Sequence, residues 1–294
     1  MKRRLLIVNA DGYGLSEGVN RGIEEVCLAG FVRSISAVPN GPAIADLKSF
    51  VRRFPQVGVG VHFNLSVGSP VLPPERVQSL VNTSGEFYRG EFVARAWTGE
   101  FRLEEMQAEL VAQVERLRGL GAVLDHWDSH QGLHVHAPFL WAAMRAARRT
   151  GLEWVRSHDY WLFRGEASRV EVARFFAGHP VRMATFAARR AAMVVLRRAG
   201  FQCADRAALL GVLPRTDPGD PATWRRLLHA LPAGLTEVWC HPGYPDDTLR
   251  QLATLVTTRE AEAQALSDAS LAEEARAIGV EVVRFRDVAW GRMR

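Results

Sequence analysis

The sequence predicts an α/β fold whose parallel strands close into a barrel of about seven or eight βα units. Short apolar runs of β character alternate with helical patterns along most of the 294 residues. Polar side chains with metal-binding or proton-transferring chemistry stand just past several of these runs, as they do at the C-terminal mouth of a parallel barrel. No internal repeat, low-complexity tract or long linker interrupts the pattern, so residues 1–294 read as one domain, with 160–233 as a helical insertion.

The first strand is the run Leu5-Leu6-Ile7-Val8, which meets Asn9 and Asp11. The basic start Met1-Lys2-Arg3-Arg4 resembles that of an export signal, but the apolar run behind it is too short, so a strand and a cytoplasmic protein are expected. Val19, Ile23, Val26 and Cys27 form one stripe of a helix over 16–29, and a second strand ends near 37. In Val57-Gly58-Val59-Gly60-Val61-His62 alternation puts the valines on one face and His62 on the other. Leu103, Met106, Leu110, Val114 and Leu117 follow helical spacing until Gly119 and Gly121. The next strand, Val123 to Trp127, precedes a helix over 138–149 that Gly151 stops, and Trp154-Val155-Arg156 is read as another short strand. Helices are expected near 169–177 and 184–199, and a strand ends near 240. A helix over 259–277 and a final strand over 280–285 complete the pattern.

With 48% apolar and 23% charged residues the chain is globular, and its longest apolar runs are far too short to span a bilayer. Cys27, Cys203 and Cys240 are odd in number, widely spaced and without a CxxC pair, which argues against a disulfide framework or a thiolate zinc knuckle. The net charge of +5 comes almost wholly from arginine, so it reads as compositional bias and not as a nucleic-acid footprint. The arginine-rich stretch Arg182–Arg198 is either a solvated helix face or a surface for an anionic substrate or lipid headgroups.

Four strand ends carry the chemistry. Asp11, followed by Gly12-Tyr13-Gly14, can bind a cation, act as a general base or cap the turn. His62 ends its strand, with Asn64 placed to orient the imidazole or bind a substrate oxygen. Residues 125–136 hold four of the nine histidines, His126, His130, His134 and His136, and Asp128 shares parity with His130 and can fix its tautomer. His241 stands before Pro242-Gly243 at a strand terminus, where a histidine can protonate a departing amine. Together these residues fit hydrolysis by a metal held by His62, His130 and one carboxylate. The absence of Gly-x-Ser-x-Gly, a P-loop and GxGxxG argues against a serine hydrolase, a kinase and a dehydrogenase.

The chain resembles the YdjC-like (ChbG/HpnK-type) carbohydrate deacetylases nearly end to end. The resemblance is carried by Asn9-Ala10-Asp11-Gly12-Tyr13-Gly14-Leu15-Ser16, Gly18 to Gly22, Val59 to Leu65, Leu80-Val81 with Gly85-Glu86-Phe87, Asp128 to Gln131 and Cys240 to Gly243. It implies a distorted TIM-like (β/α) barrel, homodimeric, that removes acetyl groups from N-acetylated amino sugars of the N-acetylglucosamine type, free, oligomeric or lipid-linked. It implies one divalent ion, magnesium or zinc, on His62, His130 and Asp11, with Asp11 as base and His241 as acid. Arg156 is expected to hold the base carboxylate or bind substrate, and Asp128 and Tyr244 are further substrate-binding candidates. Among the aromatic residues Trp127, Trp161, Phe163 and Tyr244 are candidates to stack on sugar rings. A glycolipid substrate would bring peripheral membrane contact, and no nucleic acid is expected.

Two positions depart from the family pattern. Gly12 stands where a second acid is usual, and Gly132 where a histidine is, while His134 keeps the later place. Gly12 motivates a rival reading, a non-catalytic sugar- or glycolipid-binding homologue with a degraded metal site. Metal-dependent hydrolysis of an ester or phosphoester is a further alternative.

Overall fold

A computed structural model describes residues 3–288, so Met1 and Lys2 of the basic start lie outside the described residues. The strands are β1 (Arg4–Tyr13), β2 (Ser34–Ala37), β3 (Gly58–Phe63), β4 (Leu124–Ser129), β5 (Tyr160–Trp161), β6 (Arg206–Ala208), β7 (Gly234–Cys240) and β8 (Val280–Val282). The helices are α1 (Glu17–Leu28), α2 (Leu47–Arg53), α3 (Phe92–Trp97), α4 (Leu103–Gly119), α5 (Ala137–Thr150) and α6 (Arg169–Gly178). They continue with α7 (Pro180–Arg198), α8 (Pro221–Ala230), α9 (Asp247–Leu252), α10 (Arg259–Leu266) and α11 (Ser270–Ala277).

All the strand pairings of the sheet are parallel, in the order β4-β3-β2-β1-β7-β6-β5. The stretch leading into β5 closes the ring, because Trp127 bridges Val155 and Trp154 bridges Gln202, both in parallel. This is the α/β barrel the sequence predicts. β1 shares one edge between two partners, β2 along Asn9–Tyr13 and β8 along Arg4–Leu6.

Alternation along the strands builds two cores. Leu6, Val8 and Ala10 face outward into the large cluster beneath the helices, with Val19, Ile23 and Val26 of α1 and Leu110 and Val114 of α4. Leu5, Ile7, Leu235, Trp154 and Phe285 fill the barrel interior as a second, smaller cluster. Each fully buried Leu or Ile contributes about 1.5–3 kcal/mol. The interior is therefore apolar at its base, and it turns polar toward the strand C-termini.

Three sequence expectations differ in detail. The helix over 259–277 breaks into α10 and α11, because Asp268 accepts from the backbone N–H of Ser270 and turns the chain. The last strand stops at Val282, and Phe285 belongs instead to a short 3-10 turn. The 160–233 stretch contains β5 and β6 as well as α6, α7 and α8, strands too short to stand out from its Arg/Ala-rich background.

Candidate active site

The site begins with a bulge in β1. Asp11 pairs with Ser36 and Tyr13 with Ala37, so Gly12 is an extra residue, at φ +103°. A positive φ there favours glycine, and the bulge re-aims the strand just after Asp11. Asn9 and Asp11 share the inward face, and Asn9 Nδ2 donates to Asp11 Oδ1 (2.8 Å) and to Ser36 Oγ (2.8 Å).

Arg156, next to the Val155 bridge to β4, is the hub. Its Nη1 and Nη2 donate to Asp11 Oδ2 and Oδ1, each at 2.6 Å, in the forked geometry that suits a carboxylate. Nη2 also lies 2.6 Å from Asp128 Oδ2, and Nε donates to Glu237 Oε1 (3.2 Å). One guanidinium thus faces three buried carboxylates. Burial pushes the Asp11 carboxyl up, but Arg156 outweighs it and holds it below the usual range. Burial likewise opposes the ionised form of Asp128, yet Arg156 and then His62 drive its pKa far down. Glu237 is pushed up to about 6, by burial against the pull of Arg156.

His62, at the end of β3, shares a hydrogen bond through Nδ1 with Asp128 Oδ1 (2.7 Å), which leaves Nε2 for the pocket. Asp128 therefore orients His62, not His130 as parity suggested. It is fully buried and also accepts from Ser36 Oγ (2.9 Å), so it offers no surface to substrate, contrary to the substrate-binding role expected of it. His130 follows β4, and its ring stands 5.6 Å from that of His62, edge to face. The backbone beyond it is left-handed at Gln131 (φ 56°) and Gly132 (φ 67°). His130 Nε2 is buried with no hydrogen-bond partner among the described residues. Burial, reinforced by His62, lowers its pKa to about 3, so the ring is neutral and free to ligate.

His241 follows β7, with Nε2 3.8 Å from Asp11 Oδ2 and its backbone N–H donating to Glu262 (2.6 Å). Burial pushes the imidazole pKa down against the opposing pull of Asp11. Asp11, His62, His130, Arg156, Trp239 and His241 all line one cavity of about 210 Å³.

The donors suit a cation. Asp11, His62 and Asp128 each present a ligand atom within 4.8 Å of the others, a buried group able to hold one ion. Negative charge exceeds positive around Arg156, and His130 Nε2 lacks a partner nearby. Both features fit a divalent ion.

Other expected residues lie elsewhere. Asn64 Oδ1 accepts from Ser66 N (3.0 Å), Ser66 Oγ (3.1 Å) and Val67 N (3.2 Å), while Nδ2 donates to Asn40 and Val67, so the side chain organises a loop outside this cavity. The Tyr244 hydroxyl donates to Glu25 and its ring lies beneath Arg21 (4.2 Å), also away from the cavity. Trp127 and Phe163 are core, Trp161 is part-buried outside the cavity, and Trp239 is the tryptophan on the cavity wall. His126 stacks on Phe285 (3.9 Å) deep in the barrel. His134 binds Ser129 and then His158, whose facing Nε2 atoms are 2.9 Å apart.

Glu237, Ser36, Asn9, His158 and Arg259 went unread in the sequence. Parity offered a signal for two of them, since Asn9 shares Asp11's face and Glu237 shares Trp239's.

Comparison with known proteins agrees with this architecture. Residues 5–277 match the family described as YdjC-like protein. A carbohydrate deacetylase of Geobacillus stearothermophilus is 31% identical over 289 residues, covering 97% of this chain and 98% of its own. A chitooligosaccharide deacetylase of Klebsiella pneumoniae (strain 342) is 37% identical over 151 residues, 51% of this chain and 58% of that one. A crystal structure from Enterococcus faecalis V583, named provisionally for cellobiose-phosphate cleavage, superposes with a TM-score of 0.74 at 24% identity, covering 98% of this chain and 99% of that one. This chain belongs to the YdjC-like protein family.

Proposed function

We propose that the chain is a metal-dependent hydrolase that removes the acetyl group from an N-acetylated amino sugar. The observation that carries this reading is the pairing of Asp11 with His241 at 3.8 Å, in a cavity that also exposes His62 and His130. The names of the relatives, carbohydrate deacetylase and chitooligosaccharide deacetylase, support the substrate class.

His62, His130 and Asp11 would hold the ion. Two imidazoles suit zinc, while carboxylate and water suit magnesium, so either fits this mixed set. When bound, a divalent cation polarises the amide carbonyl and acidifies water. The chain's own residues supply the proton handling. Arg156 keeps Asp11 ionised, oriented and ready to take a proton from the attacking water. His241, neutral at rest, is close enough to Asp11 to receive that proton and deliver it from Nε2 to the leaving amine. Asp128 fixes the ring of His62, and Trp239 walls the cavity where a sugar ring would lie.

The test is acetate release from N-acetylated chitooligosaccharides, abolished by EDTA and restored by zinc or magnesium. No release with any divalent ion, alongside saturable sugar binding, would favour the rival reading that Gly12 motivates, a sugar-binding chain with a depleted metal centre. The three cysteines are free and buried, which accords with a reducing compartment, and the homodimer expected from the family resemblance is part of the same proposal. Among the described residues no helix is long and apolar enough to cross a membrane.

A further inference from the structure

The α6–α7 pair turns its aromatic side inward and leaves an apolar side uncovered. Phe176 of α6 meets Phe186 of α7 edge to face, and Phe186 packs on Tyr160 of β5 with 5.0 Å between ring centres. The outward side of α7 repeats Val181, Ala184, Ala188, Ala191 and Val195 at three- and four-residue spacing, which makes one continuous stripe. All five are exposed, Val181 by 79%. Met183 and Val194, also exposed, run along one border of the stripe with Arg190 and Arg198. Five of the eleven large apolar side chains exposed among the described residues lie on this helix pair, so they form a patch and not a scatter.

Charge decides what covers the patch. Helices α5, α6 and α7 hold ten arginines against one glutamate, a formal +9, whereas the whole chain is +5, so all other residues sum to −4. Beside α7, Arg148 Nη2 of α5 donates to Ala199 O (2.8 Å), and α5 presents Trp141, Arg145 and Arg149 to solvent. Arg190 approaches Asp159 only to 3.7 Å, and its side chain stays 81% exposed. A second copy of the chain would bring the same positive charge to this face, and a stripe of three alanines and two valines buries too little to overcome it. A nucleic acid would pair with the arginines but leave the stripe in water. An anionic bilayer meets both needs, with headgroup phosphates accepting from the guanidinium groups and the stripe resting at the acyl boundary.

We propose that the outer face of α7, with α6 and α5 beside it, is a docking surface for an anionic lipid bilayer, α7 lying in the plane of the headgroups with its stripe toward the acyl chains. Arg189, on the inward side of the same helix, lines the cavity, so a docked chain holds that cavity beside the bilayer. Docking uses neither metal nor sugar, so its test is independent of the hydrolytic reading.

The test is flotation of the full chain with vesicles of phosphatidylcholine alone and of phosphatidylcholine mixed equally with phosphatidylglycerol. Binding to the mixed vesicles is expected, with binding to phosphatidylcholine about tenfold weaker or worse. It should fall away at about 1 M salt, where the screening length is about 3 Å. Arg190→Gln combined with Arg198→Gln should weaken binding by about tenfold or more. Val181→Ser combined with Met183→Ser leaves the charge unchanged and should weaken it by about threefold or more. Circular dichroism checks the fold of both variants. No flotation with the mixed vesicles, equal binding to the two compositions, or undiminished binding in either folded variant would overturn the assignment. Retention on homopolymeric RNA without flotation would make the occupant a nucleic acid, and dimerisation by light scattering without flotation would make it a second copy; either result overturns the lipid surface. The two vesicle compositions decide the matter with the wild type even if neither variant folds.

Discussion

Arg156 and Asp11, 145 residues apart in sequence, form a bidentate ion pair with both N···O distances at 2.6 Å. The same guanidinium reaches Asp128 and Glu237, so one cation orders three acids contributed by β1, β4 and β7. Removing it leaves buried carboxylates uncompensated. Arg156→Ala should lower unfolding free energy by about 3–5 kcal/mol, read from urea denaturation midpoints. Arg156→Lys keeps the charge but not the fork, so it should retain more stability while losing most acetate release. Equal activity in Arg156→Lys and wild type would show that the orientation of Asp11 is unimportant.

Stability should depend on pH through the buried histidines. Burial lowers the pKa of His130 and of His134 to about 3, below the value near 6.5 expected when unfolded. Between about pH 6.5 and 3 the unfolded chain binds more protons, so stability is fully present above 6.5 and falls as the solution is acidified. Each such group contributes a slope of up to roughly 1.4 kcal/mol per pH unit within that window. Thermal melts of metal-stripped protein should show Tm falling from pH 7 to pH 5. A flat profile over that range would contradict the buried, neutral state of these rings.

Gly60 should be intolerant of a methyl group. A Cβ there would lie 2.2–2.5 Å from three ring atoms of His126, which Phe285 stacks against on another side. Gly60→Ala should therefore cost about 1–3 kcal/mol by overpacking, measured as a shift in denaturation midpoint. Pairing it with His126→Ala should recover part of that loss.

Asn64 separates loop architecture from substrate contact. Its side chain holds five hydrogen bonds around Asn40, Ser66 and Val67. Asn64→Ala should cost about 1–3 kcal/mol of stability and leave KM for an acetylated sugar unchanged. A raised KM with stability intact would return Asn64 to the substrate.

The barrel was legible because buried parallel strands are short apolar runs, and Val8, Val61, Trp127 and Cys240 each sit just before a polar residue. His62, His130 and His241 could be named from those ends alone. The partners that tune them could not. Glu237 lies within an apolar strand, and only closure of the barrel brings it to Arg156. Asp128 shares parity with His130 along its own strand, whereas geometry assigns it to His62. Asn64 looked like a site residue because it follows His62 by two positions, but the chain has already left the strand at Phe63 and turned into a loop. Arg259 carried no local signal, since an arginine opening a helix is usually solvated.

In the proposed site, side chains from distant strands hold one divalent ion at the barrel mouth. The most direct test is metal stoichiometry, by calorimetric titration of zinc into stripped wild type and into His62→Ala and His130→Ala. One equivalent per chain is expected in the wild type, with loss of that binding in each variant while circular dichroism shows the fold intact. One equivalent bound with unchanged affinity in both variants would contradict the proposed site.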